Sequence, residues 1–99
     1  MQLLISPLAE QDLEQIADFI AQDQPLRALS FVQALHKQCK NIAMQPQIYR
    51  LRTELGSDIR SCAYGHYVIF FAAQEQELHI IRVLHGSRDI HAALNESQH

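Results

Sequence analysis

Four side chains in the C-terminal half are of types that could do chemistry: Arg60, Arg82, His85 and Arg88. Arginine offers five donors in a rigid fork to a carboxylate or a phosphate. Imidazole exchanges protons near neutral pH. Arg82 and His85 flank Val83-Leu84 at the end of the apolar run Ile80–Leu84, and Gly86-Ser87-Arg88-Asp89 follows as a tight polar corner. An arginine inside an apolar strand is costly unless its guanidinium is paired. Arg60 and Arg82 therefore each require a carboxylate, a carbonyl or solvent, with Glu54, Asp58 and Asp89 as candidate acids. His85, ahead of the Gly86-Ser87 turn, reads first as a hydrogen-bond donor that fixes the corner, then as a target contact, and last as a catalyst. Arg88 and Asp89 form a solvated pair, or Asp89 caps a short tail helix.

Other chemistries find little support. Six histidines (36, 66, 79, 85, 91 and 99) are present, but none forms an HxxxH or comparable pair with an acid at ligand spacing. No Gly-rich phosphate loop, nucleophile elbow or paired-carboxylate pattern occurs. The expectation is a chain with no metal, no cofactor and no catalytic residue. Cys39 and Cys62 have neither metal nor redox spacing. They read as buried thiols in a reducing cytoplasm, with a disulfide as the alternative.

A chain of 99 residues, 47% apolar and 19% charged, is expected to fold as one domain over 1–99. No apolar run approaches the roughly 20 residues that span a bilayer. Met1-Gln2-Leu3-Leu4-Ile5 lacks the basic and long apolar regions of a signal peptide, so a cytoplasmic location is expected. The net charge of −3 opposes a nucleic-acid enzyme, because phosphate binding draws most of its affinity from a basic face.

Residues 2–5 read as a first strand. Ser6-Pro7 marks a helix start, with a capping hydroxyl and proline at the first helical position. Ala9, Leu13, Ile16, Ala17 and Ile20 then keep a helical period. Glu10, Asp12 and Glu14 sit near that N-terminus, where the macrodipole favours negative charge. Asp23-Gln24-Pro25 breaks the helix and opens another, on which Ala28, Val32, Leu35, Cys39 and Ile42 continue the period until Pro46 ends it. So short a joint makes an antiparallel helical hairpin.

Residues 46–58 read as an irregular connection. Ile59–Tyr64, His66–Ala73 and Leu78–Leu84 follow as three strands of an antiparallel meander. Consecutive apolar positions point to a sheet covered on both faces. The hairpin covers one face. The tail from Ile90 to His99 reads as too short and polar to cover the other, which predicts that a partner chain wraps it.

Three stretches, taken in order, resemble a known family: Ala9-x-x-Asp12-Leu13-x-x-Ile16-Ala17-x-Phe19-Ile20, Gly65-His66-Tyr67-Val68-Ile69-Phe70-Phe71, and residues 80–89. Together they resemble the ParE toxins of bacterial toxin–antitoxin pairs, within the RelE/ParE superfamily. The resemblance implies an α+β fold, with an N-terminal strand and a helical hairpin packed on an antiparallel sheet in the order β-α-α-β-β-β. It also implies a toxin that poisons DNA gyrase by protein–protein contact. A ParD-like antitoxin would lay an amphipathic helix along the hairpin and an extended segment along the sheet. Target contacts are expected at Arg60, Arg82, His85 and Arg88, without sequence-specific nucleic-acid or membrane binding.

The competing activity in the superfamily is ribosome-dependent mRNA cleavage, as in RelE. Where those nucleases carry an arginine two residues past the glycine opening the second meander strand, Gly65 is followed by His66-Tyr67. The tail from Ile90 also has no tyrosine to polarise a ribose hydroxyl. A nuclease would need a reassigned set such as Arg60, Tyr67, His85 and Arg88. A third reading is an inactive module kept as an antitoxin partner.

Overall fold

The computed structural model describes residues 1–97. The chain runs β1 (Gln2–Ile5), α1 (Pro7–Ala21), α2 (Pro25–Met44), a 3₁₀ turn (Pro46–Ile48), β2 (Arg50–Leu51), β3 (Arg60–Tyr64), β4 (Tyr67–Gln74), β5 (Glu77–His85) and α3 (Ile90–Ser97). Ser6 Oγ accepts the Ala9 N–H at 3.0 Å, which caps α1 as its position ahead of Pro7 predicts. Proline likewise opens α2.

The five strands lie in the order β1-β5-β4-β3-β2. Strands β3, β4 and β5 form the expected antiparallel meander. Gly65, at φ +59°, makes the first tight turn. Two features go beyond the antiparallel expectation. Strand β1 joins parallel to β5, from Gln2↔Glu77 to Ile5↔Ile80, so the sheet is mixed. The stretch expected to be irregular also contributes β2, which pairs Arg50↔Ser61 and Leu51↔Arg60.

Both sheet faces are covered from within the chain. On one, Leu13 and Ile16 of α1 and Leu35, Cys39 and Ile42 of α2 pack on Ile69, Phe71, Ile80 and Val83. On the other, Phe70 and Leu84 meet Ile59 and, from α3, Ala93 and Leu94. Ala93 and Leu94 are each only 2% exposed, which corrects the reading of the tail as too short and polar to cover much of this face. Two apolar side chains on one short helix suffice for this narrow patch. Asp89 caps α3, its Oδ1 accepting the Ala92 N–H at 3.2 Å. Of the large apolar side chains left exposed, Phe19, Leu26, Leu29 and Met44 are on α1 and α2, and Met1, Ile48 and Leu51 lie outside them.

Strand β5 is one residue out of step with β4. Phe70 pairs with Arg82 and Phe71 with Ile80, so Ile81 is extra. Beyond the end of β1, the outer edge of β5 has no strand beside it, and the start of α1 satisfies it. The Ser6 N–H donates to the Ile80 carbonyl at 3.0 Å, and Ser6 Oγ to the Ile81 carbonyl at 2.8 Å. The Val83 N–H donates to Asp12 Oδ2 at 3.0 Å.

Candidate functional site

The bulge places Arg82 against this same edge, where it is 5% exposed. Its Nε donates to Asp12 Oδ2 at 2.7 Å and its Nη2 to Asp12 Oδ1 at 2.8 Å. Nη1 donates to the Ala93 carbonyl at 3.0 Å. One guanidinium thus ties α1, β5 and α3 together. Asp12 is 5% exposed as well, and its two oxygens accept the arginine fork and a backbone amide. The pairing is fully desolvated and geometrically satisfied, which is the condition under which a buried ion pair is tolerated. Its carboxylate partner is Asp12, not the Glu54, Asp58 or Asp89 expected.

Arg60 stands apart. It lies on β3, and its Nη1 donates to the carbonyl of Tyr49 at 2.7 Å and that of Gln47 at 3.4 Å. A shallow cleft of about 220 Å³ joins it to Pro46, Gln47, Asp58 and Ala73. Its register partner on β4 is Phe71, whereas His85 pairs with Tyr67. Four strand residues separate those positions, about 13 Å. Arg60 and His85 therefore line different clefts.

His85 and Arg88 do meet, at the end of the sheet. Both are exposed and line one cleft of about 170 Å³ with Gln15, Phe19 and Tyr67. His85 fixes the corner, but by accepting a hydrogen bond: the Ser87 N–H donates to its Nδ1 at 3.1 Å, with Ser87 Oγ at 2.7 Å from the same nitrogen. The His85 ring meets Tyr67 edge-on, with centroids 5.5 Å apart, and lies nearly parallel to His66 at 6.2 Å. Phe31 of α2 packs edge-on against Tyr67 and Tyr64. The Gly86 N–H donates to the His66 carbonyl at 2.9 Å, which locks the two turns together. The result is a stiff aromatic corner with one imidazole and one guanidinium at its surface.

Asp12, clasped by Arg82, lines the same cleft behind His85 and Arg88. The larger cleft of about 420 Å³ lies elsewhere, between β1, β5 and the start of α1, and among its lining side chains only His79 can titrate. Cys39 and Cys62 are free thiols in the core, and Gln38 Nε2 donates to Cys62 Sγ at 3.3 Å. Burial, with Cys62 nearby, pushes the Cys39 thiol up to about 11. At the β2–β3 edge, the hydrogen bond from Arg52 holds the Glu54 carboxyl below the usual range. Among the described residues no three His, Cys, Asp or Glu side chains come together as a metal site, and no helix is long and apolar enough to cross a membrane.

Sequence reasoning passed over Asp12 and Phe19 as site residues. Asp12 carried a signal: it sits three residues after Ala9 and four before Ile16, on the apolar stripe of α1. A carboxylate on a buried stripe calls for a buried cation.

No curated protein matches the sequence. Among solved structures, a chain described as belonging to the chromosomal ParDE TA system from P. aeruginosa is similar in fold. Its TM-score is 0.75 at 23% identity, with 86% of this chain and 95% of that chain covered. The model of the family described as "ParE toxin of type II toxin-antitoxin system, parDE" matches residues 3–90, which include the Asp12–Arg82 clasp and the His85–Arg88 corner. The chain belongs to the ParE toxin family of type II toxin–antitoxin systems.

Proposed function

We propose that this chain is a toxin that inhibits DNA gyrase by protein–protein contact, without bond-making chemistry of its own, and that a ParD-like antitoxin neutralises it. The observation that carries this reading is the His85–Arg88 corner: exposed, braced by Tyr67 and His66, and basic. Rigid aromatic and arginine side chains are the usual anchors of protein interfaces. Within the set Arg60, Arg82, His85 and Arg88, the contacts are His85 and Arg88. Arg82 supports them from behind, and Arg60 is an accessory contact in a separate cleft. The antitoxin's helix fits the groove between α1 and α2, whose floor is Leu13, Ala17 and Val32 and whose rim carries Glu10, Glu14 and His36.

A purified gyrase supercoiling and cleavage assay tests the proposal. Linear, gyrase-linked DNA should accumulate when the protein is added. His85→Ala and Arg88→Ala should weaken inhibition at least tenfold; Arg88→Ala should change stability by no more than about 0.5 kcal/mol, and His85→Ala, which also loses the Ser87 hydrogen bond, should cost about 1 kcal/mol. No effect at large excess over gyrase defeats the reading. The meeting of Tyr67, His85 and Arg88 then favours the second reading, ribosome-dependent mRNA cleavage, and primer extension on translated messages would show cut ends.

A further inference from the structure

The outward face of α2 is not a solvated polar surface. Leu26, Leu29, Gln33, Lys37, Lys40 and Met44 are all exposed, and at 3.6 residues per turn they fall within roughly 80° of one another. They form one straight stripe about 27 Å long, opposite the buried Ala28, Leu35, Cys39 and Ile42. Leu26 is 84% exposed, Leu29 60% and Met44 80%. Single exposed apolar side chains need no explanation. Three aligned on a stripe of a helix whose other face is already buried are a different matter.

The charge is equally one-sided. Residues 24–53 contain Arg27, Lys37, Lys40, Arg50 and Arg52 and no acid at all. The rest of the chain holds three bases against all eleven acids. Lys37 and Lys40 stand on the stripe between Leu29 and Met44 and make no ion pair among the described residues.

We infer that this stripe is a docking site for an acidic amphipathic helix of a partner protein. That helix would be about five turns long, with apolar side chains towards its ends and Asp or Glu at its middle. Charge complementarity and length set the occupant. A phosphate backbone would satisfy the lysines but leave Leu26, Leu29 and Met44 in water. A second copy docked about a two-fold axis at the stripe's midpoint would set Met44 against Leu26 but leave Lys37 and Lys40 facing Gln33 and Ser30, with no acid on the partner's stripe to pair them. The site shares no residue with the His85–Arg88 corner or with the acid-rimmed groove between α1 and α2.

The full chain, isotope-labelled for NMR, is titrated with three probes. These are a synthetic 20-residue helix with leucines towards its ends and glutamates at its middle, the same helix with lysine for each glutamate, and a 20-base-pair DNA duplex. The glutamate helix should shift the amides of residues 26–44 and bind at least tenfold tighter than the lysine helix. Raising the salt should weaken it about tenfold. Lys37→Glu with Lys40→Glu, two exposed changes that leave the core intact, should reverse the preference between the helices. Leu29→Ser with Met44→Ser should weaken both helices. The inference is overturned if the charge reversal leaves the preference unchanged, or if the duplex binds these residues more tightly than the helix. It is also overturned if the free chain self-associates and the charge reversal abolishes that association.

Discussion

Asp12 and Arg82, 70 residues apart in the chain, meet as a two-pronged clasp with contacts of 2.7 and 2.8 Å, and the same carboxylate also holds the Val83 N–H. The pair fixes where α1 crosses the edge of β5. Through the Ala93 carbonyl it also fixes where α3 lies on the opposite face.

Removing either partner leaves an uncompensated buried charge. Asp12→Ala and Arg82→Ala should each lower stability by about 3–5 kcal/mol in urea denaturation. The double substitution should cost clearly less than the two single costs added together, since it leaves no orphan ion. If Arg82→Ala unfolds at wild-type urea concentrations, the clasp is not the brace described.

α3 should contribute to stability out of proportion to its length. Leu94→Ala removes a side chain packed with Phe70 and Leu84 and should cost about 2 kcal/mol. A thermal melt within a degree of wild type would mean that the back face of the sheet does not depend on this helix.

The Cys39 thiol makes stability depend on alkaline pH. Its folded pKa is raised from an ordinary 9.0 to about 11 by burial and by Cys62 nearby. Below pH 9 the thiol is protonated in both folded and unfolded chains and imposes no slope. Between pH 9 and 11 the unfolded chain loses this proton while the folded chain keeps it, so stability falls as pH rises, by roughly 1.4 kcal/mol per pH unit at the steepest. Cys39→Ala should remove that component of the slope, read as the difference between the two proteins' denaturation midpoints across this range. Equal slopes would refute it.

The two tight turns should respond in opposite directions. At Gly65 (φ +59°) an added Cβ would touch nothing within 4 Å, so Gly65→Ala should cost about 1 kcal/mol from backbone conformation alone. Glu75 holds φ +55° with a side chain attached, and Glu75→Gly should gain about 0.5–1 kcal/mol. Chemical denaturation of the two variants in parallel measures both.

The hairpin and meander were legible because their signals are local. Ser6-Pro7 and Pro25 mark helix starts, apolar residues recur at helical spacing, and Gly65 sits between two aromatic runs. The parallel β1–β5 pairing has no local signal, since each strand alone reads as a strand. Strand β2, at two residues, is too short to show a period. Residues 90–97 misled because their average polarity hides Ala93 and Leu94, which a helix brings to one side. At the candidate site, His85 and Arg88 were legible from the corner they form. The burial of Arg82 was not, because it depends on a one-residue slip between β4 and β5 and on an acid in the first helix.

The pairing of β1 with β5 also constrains when this toxin can exist. Among the described strands β1 is made before the other four and pairs only with β5, the last of them. Asp12 likewise waits for Arg82. A hairpin of helices can form early, but it has no complete sheet to pack on until β5 has been made. A chain that stops short of β5 is therefore an incomplete fold, and the Asp12–Arg82 clasp and the His85–Arg88 corner appear only after that strand has been made.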